Sequence, residues 1–269
     1  MMRYEEFPPP PGLAGLVDCL WLAESPAAPA ATGLSHRVLP DNCTDILWQD
    51  SGAAFFVGMM TTWFDVPASP TLRTVAVRFR PGAASLFLGG LPLSSLTDGR
   101  ADLELLWGRS HAARLGDALW SVARSDAERL QLLTAALYQR LSLASAGARA
   151  ACAVATRVAA SQQLALQAVA QLEASGGALR VESLATQLGV SRQYLAALFR
   201  EHVGLSPKLF ARICRFRSAR SAALALPPDS HGPDWASLAA GSGYFDQSHL
   251  IRDFHDFAGA APAASIGRG

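Results

Sequence analysis

An excess of charge of one sign is what this chain of 269 residues most plainly lacks: 23 lysines and arginines face 22 aspartates and glutamates, leaving a formal net charge of +1. That balance, with half the residues hydrophobic, excludes a disordered chain and a protein that coats polyanions through bulk charge. Cysteine is scarce too. Cys19, Cys43, Cys152 and Cys214 lie far apart, with no C-x-x-C pair and no histidine spacing that suits zinc. Neither a metal nor another cofactor is expected, and free thiols in a reducing cytoplasm are the plain reading. No apolar run approaches the roughly 18 residues that cross a bilayer; LWGRSHAARLGDALW, for instance, is broken by charges. The opening MMRYEEFPPPPGLAGL carries acids and prolines where an export signal would carry a basic region and an unbroken apolar stretch. A cytoplasmic protein with no membrane partner is expected.

The length suits two domains of about 100 to 200 residues each. Up to about Leu96, short apolar runs alternate with turn signals, and HRVLP, DILW, AAFFVG and TVAVRFR read as strands. Asp41-Asn42, Ser51-Gly52 and Pro81-Gly82 supply the turn geometry between them. From Leu103 to Glu173 the apolar residues fall three and four apart, as in Leu115, Leu119 and Val122 or Leu130, Leu133 and Leu137, which is a helical pattern. The fold class is therefore α+β. Residues 1–160 are expected to form an N-terminal domain, β-rich and barrel- or sandwich-like with a helical extension, and residues 161–269 an all-helical domain.

An internal repeat lies in the second domain. Ser183-Leu184-Ala185 recurs as Ser237-Leu238-Ala239, and Gly189 as Gly243, at an offset of 54 residues (183 to 237). One inserted residue later, Leu195 matches Leu250, Phe199 matches Phe254 and Gly204 matches Gly259, now 55 apart (195 to 250). Each copy has the layout of a helix-turn-helix: a small residue where two helices approach, a glycine in the tight turn, and Ser191 or Asp246 as N-cap of the second helix. The second helices are expected over Arg192–Val203 and Gln247–Phe257. Between the copies, SPKLFARICRFRSARSAALAL opens with a Ser206 cap and Pro207 and stops at Pro227-Pro228, so it reads as one long helix. About 20 residues at 1.5 Å each span roughly 30 Å, close to the spacing of successive major grooves. From Arg192 to Arg220 seven basic residues (Arg192, Arg200, Lys208, Arg212, Arg215, Arg217, Arg220) face one acid, Glu201, a local concentration suited to phosphate.

LATQLGVSRQYLAALFREHVGLSPKLF followed by LAAGSGYFDQSHLIRDFHDFAG closely resembles the DNA-binding domain of AraC/XylS-type regulators, including the G-Y-x-D-Q-S-H-x-x-R-x-F pattern from Gly243 to Phe254. RVLPDNCTDILW and RFRPGAA resemble an uncharacterised sensor-type domain found in some members. The resemblance implies a non-enzymatic transcription regulator of double-stranded DNA, activator or repressor, with no catalytic residues. It places base contacts at Gln193, Ala196 and Ala197 in the first reading helix and at Gln247, Ser248 and Arg252 in the second. Phosphate contacts fall to Arg192, Arg200, Lys208 and Arg212. Arginine and glutamine can bond two base-edge atoms at once, whereas alanine meets at most a thymine methyl, so the second helix should be the richer reader. RNA polymerase, a second copy of the chain and a small-molecule effector are the further partners open to such a regulator.

In the front half, Trp48, Phe55, Trp63, Phe64, Arg78 and Phe79 are the candidate lining of an effector pocket, expected to take a small, largely apolar molecule, though the same aromatics could equally fill the core. His36, Asp41, Cys43 and Asp45 sit within ten residues of one another, a spacing that a strand–turn–strand segment produces without any chemistry. A nucleophilic Cys43 would need a base or oxyanion motif beside it, and none is recognisable.

Overall fold

Thr44–Gln49 alternates buried and half-buried side chains, the period-two signature of a strand with one face covered. It is β4 of an antiparallel sheet. A computed structural model describes residues 3–25, 35–67, 71–121, 124–150, 152–226 and 232–266. The side chains of 144–158, including Cys152, and the residues Val122, Pro227 and Pro228 lie outside that description. The strands are β1 (Arg3–Phe7), β2 (Val17–Glu24), β3 (Ser35–Val38), β4, β5 (Ala54–Val57), β6 (Phe64–Pro67), β7 (Arg73–Phe79) and β8 (Arg100–Asp102). Six of them form one sheet in the order β1-β2-β7-β4-β5-β8, and β3 pairs separately with β6. Every pairing is antiparallel.

Register decides which side chains meet. Ile46 lies opposite Val77 and Phe56, Trp48 opposite Val75, and Leu20 opposite Val77, so these residues share the inner face. That face is covered by helices rather than by a second sheet: Leu103 and Trp107 of α1 (Leu103–Trp107), Ala112 and Leu119 of α2 (Arg109–Trp120), and Leu133 and Leu137 of α3 (Asp126–Ala150) join one buried cluster with it. The architecture is thus an open helix-covered sheet, narrower than the barrel or sandwich left open above.

Helix α4 (Cys152–Ala174) runs through position 160, so the expected boundary falls inside a continuous helix. Its Ala168, Val169 and Leu172 belong to the core of the C-terminal half. There follow α5 (Val181–Gln187), α6 (Arg192–His202), α7 (Pro207–Leu224), α8 (Trp235–Gly241), α9 (Gln247–Ala258) and α10 (Pro262–Ile266). Helix α7 strings two lobes together. Phe210 packs edge-on to Phe199 of α6, while Phe216 meets Phe254 and Phe257 of α9. No described helix is long and apolar enough to cross a membrane.

Candidate nucleic-acid interface

Each helix-turn-helix is built as its sequence asks. Gly189 and Gly243, in the two turns, adopt φ of 67° and 75°, the left-handed region that side chains with a Cβ avoid. The Ser191 hydroxyl accepts from the Tyr194 amide at 3.1 Å, and the Asp246 carboxylate accepts from the His249 amide at 2.7 Å. Both caps satisfy amides that the first turn of a helix leaves without intrahelical partners. Leu195, Leu198 and Phe199 bury one face of α6; Leu250, Phe254 and Phe257 bury the corresponding face of α9.

What remains outside differs between the two helices. On α6, Arg192, Gln193 and Arg200 are exposed, while Ala196 and Ala197 are half-buried. On α9, Gln247, Ser248 and Arg252 are all exposed. Asp256, one turn on from Arg252 and a candidate local partner for it, is taken instead by Arg212, at 2.6 Å. Two aromatic positions add to this surface. Phe245 is 93% exposed immediately before the Asp246 cap, and Tyr194 is 46% exposed on the first turn of α6. Sequence reasoning passed over Phe245 because it fills the variable position of the G-Y-x-D pattern; an apolar residue directly ahead of a cap was the available signal.

The basic helix α7 requires a correction. Its arginines mostly serve the protein itself. Arg212 reaches Asp253 through Nε (3.0 Å) and Nη2 (2.6 Å) and is not free to meet phosphate as expected, because fully buried Asp253 needs a positive partner. Burial works against the Arg212 charge, but Asp253 and Asp256 outweigh it and raise its pKa. Arg215 donates to the Gly177 carbonyl at 3.0 Å and lies over the Tyr244 ring; Arg217 donates to the Asp41 carbonyl at 2.6 Å. Lys208 is exposed. Arg192 pairs with Glu182 at 3.1 Å, but both side chains are over 60% exposed, and such a surface pair is worth at most about 1 kcal/mol. A phosphate could replace Glu182 at little cost.

The six residues assigned to an effector pocket do not meet. Trp48 and Phe79 are fully buried on the inner face of the sheet, while Phe55 pairs with Leu47, and Arg78 with Asp45, on the outer face. Trp63 lies in the loop before β6, against the C-terminal half, and Phe64 begins β6. Arg78 is held by Asp45 and Glu6, each 3.4 Å away. Burial pushes the Asp45 carboxyl up to about 6, although Arg78 and a 2.8 Å hydrogen bond from Trp21 pull it down. Burial, with Asp41 and Asp45 adding to it, also pushes the Cys43 thiol well up, which keeps it protonated and a poor nucleophile. Two of the cavities among the described residues bear on these positions. One of about 620 Å³ lies between the β4–β5 hairpin and α2, and one of about 530 Å³ lies between Leu39–Asp41, the end of α4 and α7.

The profile of a helix-turn-helix domain matches residues 184–266, and that of a domain of unknown function (DUF6597) matches residues 5–102. No curated protein matches the chain. Among solved structures, an apo variant of ToxT from Vibrio cholerae strain SCE256 is similar, with 12% identity over 99% of this chain and 96% of that one and a TM-score of 0.41. ToxT from Vibrio cholerae O395 is similar over 91% of this chain and 95% of its own, at 11% identity and a TM-score of 0.40. The same protein bound to (E)-4-(8-methylnaphthalen-1-yl)but-3-enoic acid gives 11% identity over 99% and 98%, with a TM-score of 0.42.

Proposed function

We propose that this chain, whose residues 184–266 match a helix-turn-helix domain, is a DNA-binding transcription regulator of the AraC type and reads its duplex chiefly through α9. Gln247, Ser248 and Arg252 contact base edges, and Gln193 with Ala196 and Ala197 makes a weaker second reading through α6. One observation carries this assignment: Arg252 is exposed while the carboxylate one turn away is occupied by Arg212. An arginine so placed can offer both donors to a guanine edge. Arg192, Arg200 and Lys208 supply phosphate contacts. The DNA-binding unit begins with α4, whose apolar face completes its core. Selecting duplexes from a randomised pool with the full-length protein, then titrating single-base variants, tests the assignment; equal losses at every position on Arg252→Ala would refute it.

Small-molecule control belongs to the same reading, with the cavity beside the β4–β5 hairpin as its site. Of the six residues first assigned, Trp48 lines it. Asp50, Asp102, Glu104 and Asp117 stand in its walls, which favours a polar or cationic molecule over the apolar one expected from the aromatics. A thermal-shift panel of organic cations and of neutral apolar compounds separates the two. Stabilisation by the apolar set alone would return the site to the original expectation.

A further inference from the structure

Gly204 and Gly259 occupy the same position in the two repeats, each just past the end of its reading helix, and both lie against the front domain. At Gly204 an added Cβ would come 3.2 Å from the Leu93 carbonyl oxygen, and the Thr97 hydroxyl donates to the Gly204 carbonyl at 2.6 Å. At Gly259 an added Cβ would run into the Trp63 ring, 2.3 Å from Nε1. Arg37, stacked 3.8 Å over that ring, donates to the Ala258 carbonyl at 3.2 Å, and the Thr62 hydroxyl donates to the Asp256 carbonyl at 3.0 Å. The last carbonyls of a helix have no intrahelical donor, and its C-terminal end favours a cation. At α9, both needs are met from outside the helix-turn-helix domain.

The two grips are also tied to one another. Asp98, at the end of the segment that holds Gly204, accepts from the Thr61 amide and from the Thr61 hydroxyl, each at 2.6 Å. Its own amide donates to the Met59 carbonyl at 3.0 Å, and the Gly58 amide donates to the Gly99 carbonyl at 3.0 Å. Asp98 holds a φ of 55°, a conformation that costs a non-glycine residue energy and persists where its surroundings impose it. Segments 58–63 and 93–99 are therefore one body in contact with the ends of both reading helices.

We propose that this body is a yoke that sets the separation and relative angle of the two reading helices, with Trp63, Arg37, Thr97 and Asp98 as positioning residues for DNA recognition. On one side the two lobes are joined by helix α7 and by the turn at Gly243, which lies against Ala178; a second strut on the other side fixes their relative angle there as well. The front domain is then part of the reading head as well as a candidate sensor, and any change that loosens the Asp98 tie alters which half-site spacing fits.

The inference rests on the proposed DNA reading and is tested on the full-length protein. The probe is a duplex selected from a randomised pool, together with derivatives carrying one or two base pairs inserted between the half-sites. Each insertion rotates the second half-site by about 35° and moves it about 3.4 Å. Wild type should lose about tenfold or more in affinity for one inserted base pair. Trp63→Ala should bind the original duplex several-fold more weakly yet show a ratio of original to inserted affinity reduced to about threefold or less. Thr97→Val, which deletes one hydroxyl at nearly constant shape, should move the ratio in the same direction; it carries the test if Trp63→Ala fails to fold. A merely structural defect would weaken all duplexes equally and leave the ratio unchanged, and that result in a folded variant overturns the yoke. If wild type selects no duplex at all, the DNA reading fails and the yoke falls with it.

Discussion

The two helix-turn-helix units share one repeat but are fastened and equipped differently. At one matched position the first unit has Leu198, 2% exposed, and the second has Asp253, fully buried and held by Arg212. At another, Ala197 of the first unit stands where Arg252 stands in the second. The first unit is wedged in: His202, Val203, Gly204 and Leu205 are all buried where α6 ends, between α4 and the front domain. A unit attached through apolar packing holds its place without a counter-charge, and its outer face can be plain. The second unit packs Phe254 and Phe257 on Phe216 and adds one buried ion pair to that attachment, and it carries the richer outer face. Under the proposed DNA reading, the first unit anchors while the second reads.

Removing the ion pair breaks that contrast most strongly. Asp253→Ala leaves Arg212 partly buried with only Asp256 as counter-charge, and deleting one partner of a buried pair costs about 3–5 kcal/mol. The urea midpoint should fall accordingly. The double variant Arg212→Met with Asp253→Leu, which puts an apolar pair where the first unit has Leu198, should recover most of the loss, since a well-packed apolar pair can replace a buried ion pair at little net cost. A loss below about 1 kcal/mol for Asp253→Ala would mean that the two units are fastened equally loosely.

The next effect lies in base reading. Arg252→Ala should cost about 1–3 kcal/mol of discrimination at one or two base pairs and little at the others. Ala197→Arg at the matched position should add preference in the half-site of the first unit. Titrations on single-base variants at fixed salt measure both. If Gln193→Ala relaxed specificity as much as Arg252→Ala, the two helices would be equal readers.

The repeat, its caps and its turns were legible because they are local: a glycine in a tight turn and an oxygen ahead of a helix need only neighbouring residues to explain them. The sheet was partly legible. Strands near HRVLP, DILW, AAFFVG and TVAVRFR are present, but β2 was not singled out; VDCLWLAE buries side chains on both faces and does not alternate cleanly. Charge was the poorest guide. Counting arginines along α7 could not reveal that Arg212 meets carboxylates 41 and 44 residues away, or that Arg217 serves a carbonyl 176 residues away. The aromatic pocket failed for a related reason. Adjacent letters on a strand face opposite ways, so residues rich in aromatic area were divided between a core, an outer face and the contact at Gly259.

Cap removal distinguishes the units by a smaller amount. Ser191→Ala and Asp246→Ala each delete one capping bond, worth about 1 kcal/mol. The charged cap also meets the positive end of its helix, so Asp246→Ala should cost a few tenths of a kcal/mol more than Ser191→Ala. Since α6 is buttressed on several sides, Ser191→Ala should leave DNA affinity almost unchanged once the protein is folded. Asp246→Ala should lower it, because fraying at the start of α9 displaces Gln247 and Ser248. Hydrogen exchange at the first amides of α6 and α9 reads the fraying directly.

The smallest effect belongs to Lys208, a basic side chain of the linking helix that lies in solvent. Lys208 sits on the first turn of α7, between the two units, and neutralising one phosphate contributes about 0.9 to the slope of log affinity against log salt. Lys208→Ala should therefore weaken binding to every duplex by a similar factor, about threefold at moderate salt, and lower that slope by about one. Arg212→Ala, by contrast, should leave the slope near its original value while reducing stability, since its charge is spent on Asp253 and Asp256. The same titrations at four salt concentrations compare the two. A slope lowered equally by both substitutions would mean that Arg212 exchanges its carboxylates for phosphate on binding; the second unit would then be released from its fastening at the moment it reads.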